Sequence, residues 1–84
     1  MERSIFITVY VPTVFLHIDV SITINMKVIE ALELLYKIIR YQIDDGRSFD
    51  LFTIMYDAER NIILPLQETI QQVGLVNGSR IYVI

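Results

Sequence analysis

The chain has 84 residues, 54% of them hydrophobic and 20% charged, with a net charge of −3 and no cysteine. That length supports one domain spanning 1–84, and the missing cysteine excludes disulfide frameworks, thiolate metal sites and cysteine nucleophiles. The seven basic residues are spaced singly between Arg3 and Arg80, so no electrostatic track for a phosphate backbone forms and nucleic acid is not an expected partner.

Ile5, Ile7, Val9 and Val11 alternate with Phe6, Thr8 and Tyr10, the period-2 pattern of a half-buried strand. The run is too short for the roughly 20 apolar residues of a membrane span. Pro12 and Thr13 break it, and Glu2-Arg3 is not a basic leader. A cytoplasmic location without membrane insertion is therefore expected. Pro12-Thr13 supplies a turn, and a second run from Val14 to Ile24 returns as the partner strand of an antiparallel hairpin. In it Leu16, Ile18, Val20 and Ile22 alternate with Phe15, His17, Asp19 and Ser21.

From Val28 the period changes. Val28, Ala31, Leu32, Leu35, Ile38 and Ile39 follow the rhythm of one helical face, widened by Ile29, Leu34 and Tyr36. Asn25 is the expected N-cap, and Arg40 suits the negative end of the helix dipole. The helix stops around Tyr41 to Ile43, before the polar loop Asp44–Ser48.

Phe49 to Tyr56 reads as a third strand and Ile62–Leu64 as a short fourth, ended by Pro65. Leu66 to Leu75 includes a single helical turn. Asn77-Gly78 is a tight turn into a last strand, Ser79 to Ile84.

No catalytic or metal constellation emerges. His17 shares a strand face with Phe15 and Asp19 and reads as a solvent-facing residue beside a carboxylate, not as a general base. No serine stands in a nucleophile motif. Asp44-Asp45 lacks the alternating ligand spacing of a calcium loop. No cofactor, metal or enzymatic activity is expected.

What stands out is the set of large residues that pleating sends away from the helix. If Ile5, Ile7, Val9, Ile81 and Val83 face inward, then Phe6, Thr8, Tyr10, Arg80 and Tyr82 face outward. One register of Phe52, Ile54 and Tyr56 joins them or enters the core, with Leu51, Thr53 and Met55 as its opposite. The protein-binding set adopted is Phe6, Thr8, Tyr10, Ile54, Tyr56, Arg80 and Tyr82. So apolar a chain conceals only part of its hydrophobic surface in one core, and leftover patches mark interaction sites.

The element order β-β-α-β-β-β is that of an α+β fold of the β-grasp type, a mixed sheet with one helix packed across it. The string from Glu68 through Thr69-Ile70, Val73-Gly74-Leu75 and Asn77-Gly78-Ser79 to Ile81-Tyr82-Val83-Ile84 resembles the end of ubiquitin-like domains. In that pattern Ile70, Val73 and Leu75 close the core, Gly78 permits the turn, and Ile81 and Val83 point inward. The proportions, the very apolar helix and the Val9-Tyr10-Val11-Pro12 first strand look most like the YukD/EsaB group, ubiquitin-like accessory proteins of bacterial type VII secretion systems. The resemblance implies a non-catalytic, cytoplasmic adaptor that binds proteins through its open sheet face, with the membrane ATPase of such a system as partner. The last residues, Tyr82-Val83-Ile84, carry no Gly-Gly tail, which sets modifier and sulfur-carrier roles aside. The alternatives are a homodimeric structural or regulatory subunit that uses the same face, and, third, a carrier-like protein lacking its tail.

Overall fold

The computed structural model describes residues 3–43 and 50–84. The two N-terminal runs form the expected hairpin. β1 (Ser4–Val11) and β2 (Leu16–Thr23) pair antiparallel from Ser4 opposite Thr23 to Val11 opposite Leu16. The second strand starts at Leu16 instead of Val14, because Pro12–Val14 forms a single 3-10 turn. Proline's fixed φ suits the first position of that turn. Val14 drops into the core, and Phe15 closes the turn with a left-handed backbone, φ 54°.

α1 (Val28–Gln42) buries Val28, Ala31, Leu32, Leu35 and Ile39 against the sheet, as the helical stripe predicts. Its cap differs from expectation. Lys27, not Asn25, is the N-cap, and the Lys27 N–H donates to the Glu30 carboxylate at 2.9 Å. The next two N–H groups find carbonyls far along the chain: Val28 donates to Glu68 at 2.9 Å and Ile29 to Leu66 at 3.0 Å. The unpaired donors of the first helical turn are thus satisfied by tertiary structure.

Among the described residues five strands make one mixed sheet in the order β2-β1-β5-β3-β4. β5 (Arg80–Val83) runs parallel to β1 at its centre, and β3 (Met55–Asp57) and β4 (Ile62–Ile63) complete it in antiparallel pairing. The third strand is much shorter than expected. Thr53 and Ile54 both donate their N–H to the Ile84 carbonyl, at 2.8 and 3.2 Å, and Ile84 donates back to Ile54 at 3.1 Å. Two residues facing one is a β-bulge, and it shifts the alternation by one position. Met55 therefore points inward, yet Phe52 also enters the core, 7% exposed and edge-on to Tyr36 at 6.1 Å. Leu51 is 61% exposed. The Leu51/Thr53/Met55 register thus breaks at the bulge. The loop Asp44–Ser48 and the strand start at Phe49 lie outside the described residues.

The helical turn expected after Leu66 forms, capped at both ends. Thr69 and Gln72 exchange side-chain-to-backbone bonds at 2.9 and 3.1 Å, a capping box. Gly74, at φ 80°, ends the turn, with Leu75 N–H reaching back to the Ile70 carbonyl at 3.3 Å. Ile70, Val73, Leu75, Ile81 and Val83 are all buried, as expected. Asn77-Gly78 turns at φ 86° for Gly78, with Ser79 N–H on the Val76 carbonyl at 3.0 Å. Gly78 N–H also donates to the Phe6 carbonyl at 2.8 Å, which ties this turn to the start of β1. No helix among the described residues is long and apolar enough to cross a membrane.

Candidate functional site

With Ile7, Val9 and Val11 of β1 and Ile81 and Val83 of β5 turned under the helix, pleating exposes their neighbours on the opposite face. Strand register then decides which outward side chains meet. Tyr10 lies opposite both His17 on β2 and Tyr82 on β5, Tyr82 opposite Tyr56 on β3, and Tyr56 opposite Ile63 on β4. A single row, His17–Tyr10–Tyr82–Tyr56–Ile63, therefore crosses the whole sheet.

The rings touch. Tyr10 stacks on Tyr82 with centroids 5.1 Å apart and planes 24° apart, Tyr56 sits 6.4 Å from Tyr82, and His17 lies 5.7 Å from Tyr10. Tyr56 also hydrogen-bonds through its hydroxyl to the Asn61 side chain. Each tyrosine is half-buried by its neighbours, so little rotamer freedom remains to be lost when a partner covers the row. His17 takes up a ring contact with Tyr10, while the nearby Asp19 accepts a 2.6 Å bond from the Thr8 hydroxyl. The carboxylate expected beside His17 is engaged elsewhere.

A polar row runs alongside: Asp19, Thr8 and Arg80 in register, with Arg80 Nε 3.4 Å from Glu59. The Arg80 and Glu59 side chains are both more than half exposed, so water screens this pair and it contributes little to stability. At one end of the tyrosine row, Tyr10, Pro12, Phe15, Leu16, His17 and Tyr82 line a shallow apolar depression of about 280 Å³. Phe15 stands over it 95% exposed.

Of the residues expected on this face, Phe6, Thr8, Tyr10, Tyr56, Arg80 and Tyr82 lie on it by register. Ile54 sits half-buried at the bulge, outside the row. Sequence reasoning passed over Phe15 and Ile63 as members. Ile63 was legible in the sequence, since one of two adjacent isoleucines in a strand must point outward. Phe15 was not, because its position depends on the left-handed turn.

The one buried charge among the described residues is a structural latch. Asp57, 4% exposed, accepts from the backbone N–H groups of Glu59 and Arg60 at 3.0 and 3.2 Å and from Arg60 Nε at 2.7 Å. Arg60 continues to the Val73 carbonyl, joining the β3–β4 turn to the helical turn before Gly74. Burial by itself would raise the Asp57 pKa, but the Arg60 bonds and charge and the Glu59 N–H together hold it below the usual carboxylate range. Among the described residues no group of three or more His, Asp or Glu side chains is placed to hold a metal ion. The Asp44-Asp45 pair lies outside them.

No protein-family model matches the chain, and no curated protein matches its sequence. Solved structures do resemble it. The ubiquitin-like domain of an Arabidopsis thaliana protein superposes with a TM-score of 0.72 at 17% identity, covering 98% of this chain and 77% of that one. The ubiquitin-like domain of the Mycobacterium tuberculosis type VII secretion system protein EccD1 gives 0.72 at 13% identity and 98% of both chains. A chain of the toluene 4-monooxygenase HD complex with the inhibitor 4-bromobenzoate gives 0.74 at 16% identity and 96% of both chains. At such identities the likeness is one of fold: this chain has the ubiquitin-like β-grasp fold.

Proposed function

We propose that the chain is a non-catalytic adaptor that binds another protein through its open sheet face, as a cytoplasmic accessory component of a bacterial type VII secretion system of the YukD/EsaB kind. The observation that carries this reading is the tyrosine row. Three neighbouring phenol rings, Tyr10 stacked on Tyr82 and Tyr56 tilted beside it, extended by His17 and Ile63, present rigid amphipathic anchors in a line across the sheet, and tyrosine is prominent among residues that dominate binding energy. The polar groups beside the row are engaged with one another, so the face is better suited to recognition than to proton transfer. Two observations favour the secretion role: the fold likeness to the EccD1 ubiquitin-like domain and the Val9-Tyr10-Val11-Pro12 first strand. The partner proposed is a cytoplasmic domain of the secretion system's membrane ATPase.

The test is affinity capture from a host that carries the chain, using wild type and Tyr82→Ala in parallel. Wild type is expected to recover the secretion ATPase and the variant to lose it. Equal recovery by both removes the open face from the mechanism, and recovery of no secretion component removes the secretion role. A second reading is favoured by the 96% mutual coverage with a chain of the monooxygenase complex: a structural subunit of some other assembly. Capture of stoichiometric enzyme subunits in place of secretion components selects it.

A further inference from the structure

Among the described residues the sheet has two edges, β4 and β2. β4 is only two residues long, and shortness protects an edge from unwanted pairing. β2 is different. It runs for eight residues, pairs with β1 residue for residue without a bulge, and holds no Lys, Arg or Pro; Asp19 is its one charge. Long edges without such guards are templates for another strand.

The direction of its free backbone groups is settled by one bond. Ile24 N–H donates to the Arg3 carbonyl at 3.0 Å, so in the alternating antiparallel ladder Ile22, Val20, Ile18 and Leu16 turn their N–H and C=O groups to β1. His17, Asp19, Ser21 and Thr23 turn theirs outward. Of these outward groups the Thr23 carbonyl alone has a backbone partner, the Met26 N–H at 3.3 Å, and a carbonyl has a second lone pair to offer.

We infer that β2 is the interface with a second copy of this chain, the two edges pairing antiparallel about a two-fold axis at Val20. Only alternate residues point outward, so the symmetric registers that use most of the strand are centred on Asp19 or on Val20. The first sets Asp19 directly against its own copy, and like charges so placed repel. The second sets Asp19 against Ser21 and His17 against Thr23, each pair exchanging both backbone bonds. Shifts further along the strand shorten the ladder. On the helix side of the sheet the Val20 register brings half-buried Ile18 against Ile22 and covers it, with Val20 against its own copy. The interface is isologous and closes on itself, and the product is one continuous sheet with two tyrosine rows on the same surface. This dimer goes beyond the adaptor reading and does not rest on it.

The chain has no cysteine, which makes the register directly testable in the full chain. Central non-hydrogen-bonded pairs bring Cα atoms to about 4.5 Å, within disulfide reach. Val20→Cys is expected to cross-link to a covalent dimer under mild oxidation. A mixture of His17→Cys and Ser21→Cys, which keeps Asp19 and opposes the two thiols directly in the Asp19 register, is not. In sedimentation over about 10 µM to 1 mM, wild type is expected to dimerise with concentration. Ser21→Pro, which removes an outward N–H where an edge strand tolerates proline, is expected to weaken the dimer about tenfold or more. Tyr82→Ala is expected to leave dimerisation unchanged. A wild type that stays monomeric over that range overturns the inference, including one that captures a foreign strand instead. So does cross-linking of the His17→Cys and Ser21→Cys mixture ahead of Val20→Cys, or a dimer that survives Ser21→Pro but not Tyr82→Ala.

Discussion

Replacing Asp57 by alanine removes the acceptor at the centre of the β3–β4 turn. Two backbone N–H groups and the Arg60 Nε lose their partner, and the site is too enclosed, at 4% exposure, for water to replace all of it. Each bond from a neutral backbone N–H to the carboxylate contributes about 1 kcal/mol or more, and the bond from the charged Arg60 donor about 1.5–3 kcal/mol in a buried setting. Arg60 is 44% exposed, so its share belongs at the low end of that range. The expected loss is about 3–4 kcal/mol, which in a domain of this size lowers Tm by about 15–30 °C. Urea unfolding is the assay: the midpoint should fall with the m-value unchanged. The same latch sets a pH dependence. The folded-state pKa of Asp57 is depressed, so its stabilisation is fully present above the ordinary carboxylate pKa of about 3.9 and is lost as pH falls through the lower folded value. Asp57→Asn should therefore be less stable than wild type at neutral pH and draw level with it in acid. A loss below about 1 kcal/mol in Asp57→Ala, or a wild type and Asp57→Asn that keep a constant gap down to acid pH, would refute the reasoning.

Other outcomes follow from particular side chains. Tyr82→Ala leaves the core intact and costs about 0.5–1.5 kcal/mol of stability through its two ring contacts, but about 2 kcal/mol or more of partner binding, read by calorimetry. Phe52→Ala should cost about 3–5 kcal/mol in chemical unfolding, while Leu51→Ala stays within about 0.5 kcal/mol; similar values for both would argue against the bulge. Phe15→Gly relieves a left-handed backbone at a residue with almost no packing and should raise stability by about 0.5–1 kcal/mol. Measured by partner titration, the same variant should bind more weakly if Phe15 belongs to the docking face.

Much of this architecture is written in local periodicity. The alternation in Ile5–Val11 and Leu16–Ile22 specifies two strands and their inner faces, because a period of 2 has one consistent solution once one side is buried. The 3.6 rhythm from Val28 does the same for the helix. Those two patterns and the turn at Asn77-Gly78 place Tyr10 and Tyr82 on the outer face without reference to any contact. The helix cap, the bulge and the Asp57 latch follow a different logic. Lys27 is the cap because Glu68 and Leu66 carry the carbonyls for the following N–H groups. Phe52 is buried because Ile84 offers one carbonyl to two donors, and Asp57 is buried because Arg60 reaches Val73.

The chain's own pattern thus determined the N-terminal hairpin, the helix and the closing strand and which side of each is apolar, since these depend on neighbours within a few positions. Only the tertiary structure decided the register that lines up His17, Tyr10, Tyr82, Tyr56 and Ile63, and the one-residue shift that takes Phe52 out of that line. Register is set by hydrogen bonds between segments distant in sequence, and no local repeat records where those partners fall.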